Sequence, residues 1–243
     1  MLRLSQYQQI KTKKNGGMLF QMIQYISIIN DLYIDQVEQW STDKVISEFG
    51  KLKNKYKVSN KHSQSIELEG LQLNLIPFKY LTLGQFIDLE YFTTEGYYEN
   101  MHKIASVIYL HQKKGGLYED TFEKYGTINI DYRSERIAEL PAQFTVGACE
   151  SYLKFRKSFF ESYDIFSDPF EDVDTEQMTD EEKQLFEQEK KIYEEKAGNQ
   201  WTELINVLSN NDITKFDKVL STNLFLSFNQ LTYLHSQAKN QTK

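Results

Sequence analysis

The sequence predicts a mainly α protein: a helical domain carrying one small β-hairpin, plus a C-terminal helical extension. Three observations lead there. Only 11 Gly and 3 Pro occur in 243 residues, so turns and breakers are scarce. Apolar residues recur at three- and four-residue spacing over several stretches, the period of an amphipathic helix. Strict alternation of apolar and polar residues occurs in one place, residues 66–75.

Residues 1–17 hold Arg3, Lys11, Lys13 and Lys14, no acid, and end in Asn-Gly-Gly, which reads as a flexible basic tail. A helix follows over residues 18–32. It offers two stripes, Phe20/Ile23/Ser27/Asn30 and Leu19/Met22/Ile26/Ile29, and the second, more apolar one is the expected buried face. Residues 34–40 form a short helical or looped bridge. Ser41 or Thr42 then caps a helix through Val45, Ile46, Phe49 and Leu52. Lys51, Lys53, Lys55, Lys57 and Lys61 follow without an acid among them and read as a solvated helix end.

A β-hairpin is expected at residues 65–76, its two strands alternating on either side of Glu69-Gly70. A lone hairpin is marginal in water, so its apolar side must lie on the surrounding helices.

Residues 81–113 specify their own structure most completely. Thr82 and Gln85 stand at capping-box spacing, with Leu81 and Phe86 placed for a hydrophobic staple. Leu83, Phe86, Ile87 and Tyr91 predict the buried stripe of the helix that follows. After a break at residues 95–100, Met101, Ile104, Ala105 and Ile108 predict a second helix. It should run to residue 113, where His111 and the lysines suit the negative helix end.

Residues 117–130 read as a loop anchored by Tyr118, Phe122 and Tyr125, and residues 133–140 as one or two helical turns. Residues 143–166 return to helical spacing, and the stripe Phe144, Ala148, Tyr152, Phe155, Phe159 and Tyr163 predicts core packing. Residues 18–166 make up the expected helical domain. Composition then shifts to an acidic linker at residues 167–179, broken by Asp168-Pro169. Beyond it, residues 180–243 form a C-terminal helical segment. Its first helix has a narrow stripe, Leu185, Phe186, Ile192 and Tyr193, suited to contact with one neighbour. With Trp201, Phe225 and Phe228, of the kind enriched at interfaces, these residues are the expected partner-binding face.

The bulk numbers exclude several functions. A net charge of −7 argues against general nucleic-acid binding, which needs positive surface to meet phosphates. Cys149 is the only cysteine, so no intramolecular disulfide forms, and a reducing compartment is expected. The most apolar run, residues 18–34, contains Gln21, Gln24, Asn30 and Asp31 and falls short of the roughly 20 apolar residues of a membrane span. No small-x-small cleavage site follows it, and a cytoplasmic protein without membrane contact is expected.

Catalytic and metal-binding patterns were sought by their spacing. No Gly-rich phosphate loop, His-Glu-x-x-His or Cys-x-x-Cys occurs. His62, His102, His111 and His235 are scattered and read as surface or edge histidines. Cys149 reads as a small buried thiol. Asp172-Val-Asp174-Thr-Glu176 begins like a calcium loop, but Gln177 stands where glycine must make the sharp turn. Asp88 and Glu90 lie two apart on one helix, and so point to different faces. The expectation is no enzyme, no cofactor and no metal.

At residues 81–90, Leu-Thr-Leu-Gly-Gln-Phe-Ile-Asp-Leu-Glu, the chain resembles small helical assembly proteins of tailed bacteriophages, the tail assembly chaperones and virion-morphogenesis proteins. It is most similar to those of phages infecting Bacteroidetes, including the crAss-like group. The layout is similar too: the hairpin, this segment, a helix ending near Ile108-Tyr109-Leu110, a tyrosine-bearing loop, an approach from Arg133 to Leu140-Pro141, and an aromatic helix. The resemblance covers about residues 18–166. It implies a non-enzymatic protein that binds and shields a tail or neck protein during virion morphogenesis. The alternative it leaves open is a permanent virion subunit, a ring or adaptor near the portal or tail. The implied partners are phage structural proteins (tail, neck or portal), with homo-oligomerisation open, in the host cytoplasm or the virion.

Overall fold

A computed structural model of the chain describes residues 1–13, 15–58, 61–113, 122–163, 183, 185–188 and 200–241. They are mainly helical, with one small three-stranded antiparallel sheet. The chain divides into two compact units. One comprises Met1–Pro77 and Asp88–Leu153, the other Phe78–Ile87 and Lys154–Lys243.

In the first unit the N-terminal residues are not a flexible tail. They form α1, Leu4–Thr12, with Leu2, Leu4 and Tyr7 buried. Arg3 makes a β-bridge with Pro141: the Leu4 N–H donates to the Leu140 carbonyl at 2.8 Å, and the Ala142 N–H to the Leu2 carbonyl at 2.8 Å. Gln6 serves both ends of the junction. Its Oε1 accepts the Arg3 N–H at 3.1 Å, and its Nε2 donates to the Ile28 carbonyl at 2.9 Å. These partners are remote in sequence, so the basic residues of the stretch mask the part played by Leu2, Leu4 and Tyr7.

Helices α2 (Met18–Asn30), α3 (Ile34–Glu38) and α4 (Thr42–Lys55) enclose a cluster of Ile23, Ile26, Val37, Val45 and Leu52. The buried face of α2, with Ile23, Ile26 and Ser27, straddles the two stripes seen in the sequence. Ser41 caps α4 as expected, its hydroxyl accepting the Lys44 N–H at 3.4 Å.

The hairpin forms as expected. Strands β1 (Ser65–Leu68) and β2 (Leu71–Leu75) pair antiparallel with Ile66 opposite Leu73. The turn residues Glu69 and Gly70 have φ of 52° and 79°, the double left-handed geometry that matches strand twist. Helix α6 (Met101–Ile108), however, stops short of the expected residue 113. Tyr109–His111 form β3, which adds antiparallel to β2 with Leu75 opposite Tyr109. Val107 to Leu110 are all buried, a run apolar on every side that satisfies either period, and the free edge of β2 decides it.

The unit is completed by α7 (Ile130–Ala138), a 3-10 turn at Ala142–Phe144 and the first part of α8 (Val146–Glu161). Ala148, Cys149 and Tyr152 are fully buried, as the stripe predicts.

The second unit takes the start of α5 (Leu83–Thr94), the end of α8, α9 (Gln200–Ser209), α10 (Phe216–Leu220) and α11 (Leu224–Gln241). The expected capping box is present: Gln85 Oε1 accepts the Thr82 N–H at 2.9 Å, and Thr82 Oγ1 accepts the Gln85 N–H at 3.2 Å. Leu81 and Phe86 are fully buried. The rest of the predicted stripe shifts. Leu89 and Glu90, which belong to the first unit, are buried, while Tyr91 is exposed, so the charged residue and the aromatic exchange the expected sides.

Residues 79–83 are tied to the start of α11. The Leu83 N–H donates to the Thr222 carbonyl at 2.9 Å, and the Leu224 N–H to the Leu81 carbonyl at 2.8 Å. Rings fill the interior: Phe159 lies 5.0 Å from Phe86, 5.5 Å from Phe225 and 5.0 Å from Phe228. The C-terminal helices thus pack on segments that the sequence reading placed in a separate domain ending at residue 166. The reason is the aromatic stripe of α8, whose second half is faced by Phe225 and Phe228 as well as by Phe78 and Phe86. The expected linker at residues 167–179 lies outside the described residues.

Replacing Thr82 with Ala removes the hydroxyl of the box and should destabilise the chain by about 1 kcal/mol. Superimposable thermal melts for the variant and the wild type would contradict the assignment.

Candidate functional site

Three groups of residues could carry function, one on the second unit and two on the first. In the second unit the expected partner face was Leu185, Phe186, Ile192, Tyr193, Trp201, Phe225 and Phe228. Among the described residues of this set, Phe228 is buried and so lies on no surface. Leu185 is 57% exposed and Phe186 half-buried on a helical turn at residues 185–188. Ile192 and Tyr193 lie outside the described residues. Trp201 packs edge-on to Phe86 with ring centres 5.8 Å apart, Phe225 packs on Phe155 and Phe159, and Phe228 is fully buried. Phe228 is therefore a core residue, and Trp201 and Phe225 are half-buried; the aromatic stripe of α8 recruits Phe225 and Phe228, and Phe86 meets Trp201.

The solvent face of α11 is different. Leu226 and Tyr233 are 59% and 55% exposed. Seven residues apart, they fall on one stripe, turned away from the buried Leu224, Ser227 and Phe228. Val207 on α9 and Ile213 in the turn after it are exposed as well. The signal for Leu226 and Tyr233 was present in the sequence as a second, two-residue stripe. The denser inner stripe of Leu224, Phe228 and Leu231 obscured it.

In the first unit, polar side chains are buried in pairs. The Tyr152 hydroxyl donates to Glu90 Oε1 at 2.7 Å, in the interior. Arg133 grips Glu123 with both terminal nitrogens, at 2.5 and 2.9 Å, and the same carboxylate accepts the His111 N–H at 2.9 Å. Burial pushes the Asp88 carboxyl up to about 6, against the opposing pull of its hydrogen bond with Tyr125. Tyr125 in turn rises to about 12, mainly through burial and also through the Asp88 charge.

A third group lies around α1 and the start of α6. Gln8 Nε2 reaches the Tyr98 and Glu99 carbonyls at 2.8 and 2.7 Å and His102 Nδ1 at 2.9 Å. Burial first, and Lys103 second, lower the His102 pKa, which keeps the ring neutral and able to accept. Cys149 is fully buried with its Sγ 3.6 Å from the Met101 carbonyl, and burial holds the thiol protonated. A protonated, inaccessible thiol is no nucleophile.

These arrangements tie elements together through hydroxyl–carboxylate and amide–carbonyl bonds. Asp88 and Glu90 engage different tyrosines. Among the described residues no group of three or more His, Cys, Asp or Glu could hold a metal ion, and no helix is long and apolar enough to cross a membrane. Compared with known protein families, with curated proteins and with solved structures, the chain matches none.

Asp88 makes stability pH-dependent. Its folded pKa is raised, so between about pH 4 and 6 the folded chain binds more protons there than the unfolded chain, and its contribution to stability falls as pH rises. Asp88→Asn should remove that fall and stabilise the protein at pH 7 by about 1 kcal/mol, the full shift being discounted for the partial exposure of the group. Urea midpoints measured from pH 4 to 7 should diverge as pH rises; parallel curves would refute the assignment.

Proposed function

We propose that this chain is a non-enzymatic assembly protein that binds and shields a tail or neck protein of a bacteriophage during virion morphogenesis. The observation that carries the reading is the Leu226–Tyr233 stripe on the outer face of α11. The core side of this helix is already supplied by Leu224 and Phe228, so two large apolar side chains at heptad spacing are left for a helix from elsewhere. The buried carboxylates and thiol of the first unit are engaged in packing and hydrogen bonds, which suits a binding protein better than a catalyst. The resemblance at residues 81–90 supplies the biological setting, and the capped helix start at Thr82 is the part of that segment with a clear structural purpose.

The test is affinity purification of the tagged chain from phage-producing cells, with quantitative mass spectrometry of the eluate and of purified particles. A tail or neck protein should be enriched with the chain, and the particles should hold almost none of it. Leu226→Asp combined with Tyr233→Asp should lower that recovery about tenfold, a loss near 1.4 kcal/mol, without changing the melting temperature. Stoichiometric presence in the particles would establish a permanent virion subunit instead. Failure to recover any phage structural protein would overturn the reading.

A further inference from the structure

A groove runs along α2 in the first unit, bounded by the end of α1 and by α4, with a volume of about 370 Å³. Its floor is Met18, Met22, Tyr25 and Ile28 from α2 and Phe49 from α4, and the exposed Lys13 and Lys53 line it as well. The α2 residues recur at i, i+4, i+7 and i+10, a stripe beside the Ile23–Ile26 core face, on which Met22, Tyr25 and Phe49 rest partly buried. Met18 is 76% exposed. From Met18 to Ile28 the face is about 15 Å long, close to three helical turns. Gln24 also lines the groove, and its Oε1 is buried without a hydrogen-bond partner. Such an acceptor costs free energy until a donor reaches it.

Charge is distributed unevenly along the chain. Residues 1–64 contain ten Lys and Arg against five Asp and Glu, a local excess of +5 in a protein of net charge −7. The groove therefore opens on the basic part of an acidic molecule.

We propose that this groove is the docking site for an acidic amphipathic helix of the partner protein. Apolar side chains at i, i+4 and i+7 of that helix lie over α2 between the end of α1 and α4, and carboxylates flanking the stripe meet Lys13 and Lys53. The inference rests on the protein-binding role proposed above and adds a second face and the chemistry it selects. A groove with an apolar floor accepts an amphipathic helix. Two methionines give the floor an adaptable, polarisable surface. The exposed lysines add little affinity, but they select the sign of the partner and its register. A lipid bilayer takes up a convex apolar face, whereas this one is concave. Acyl chains and phosphodiesters offer no donor for Gln24, while a helix carrying a Ser, Thr, Asn or Gln beside its stripe does.

The test is methyl NMR of the full chain labelled with 13C-methyl methionine, titrated with three synthetic 18-residue peptides. One is amphipathic with leucines at helical spacing and glutamates around them, one has lysines in place of the glutamates, and one is a scramble of the first. Only the acidic amphipathic peptide should shift the Met18 and Met22 methyls, leaving the buried Met101 methyl in place, with a Kd in the micromolar range. Lys13→Glu combined with Lys53→Glu should weaken that binding at least about tenfold, with an unchanged melting curve. Silence of Met18 and Met22, equal responses to all three peptides, or a response to anionic vesicles or duplex DNA in place of the peptide overturns the proposal. A chain that ignores the peptides yet still co-purifies with a tail or neck protein loses the groove and keeps the assembly role.

Discussion

The first unit depends on a short piece of β-pairing between its first residues and the corner that joins α7 to α8. Two main-chain hydrogen bonds, from Leu4 to Leu140 and from Ala142 to Leu2, dock the start of α1. Burial of Leu2, Leu4 and Tyr7 then stabilises the junction, at about 1.5–3 kcal/mol for each large aliphatic side chain withdrawn from water. Three further elements lean on α1. Gln6 satisfies a carbonyl at the end of α2, Gln8 satisfies carbonyls just before α6, and Arg3 reaches Asp31 and Glu139. The two ion pairs are solvent-exposed and contribute little; the buried amides are the specific part, because an unmet carbonyl inside costs more than a surface pair gains.

The second unit is organised by apolar contact between rings. Phe159 touches rings from α5, α8 and α11, in tilted and edge-on arrangements that the ring quadrupoles favour. Its main-chain tie, between residues 81–83 and 222–224, works as the α1 junction does: two hydrogen bonds between segments far apart in sequence. In both units large apolar side chains also stay exposed, Met18 among them in one and Leu226 and Tyr233 in the other.

What was legible in the sequence is what local chemistry decides. The Thr82–Gln85 box, the Ser41 cap and the Glu69-Gly70 turn each depend on residues within three positions of one another, and each forms as read. The stripe of α8 was legible because six residues repeat one period. Features set by distant partners were not legible. α1 has only the Arg3–Gln6 contact as a local signal, and its docking comes from Leu140 and Ala142. β3 comes from an all-apolar run that only the edge of β2 turns into a strand. Phe225 and Phe228 looked like surface because their partner, Phe159, lies more than sixty residues away. For the same reason Phe225 and Phe228, two residues of the expected partner face, were not recognised as packing against α8.

The N-terminal dozen residues are a built part of the first unit and hold one wall of its groove. Amide hydrogen exchange over residues 2–12 reads this out. Slow exchange is expected at Leu4 and within α1 from Tyr7 on, comparable to that of α6. Exchange at the rate of an unstructured peptide across that stretch, with α6 still protected, would contradict it.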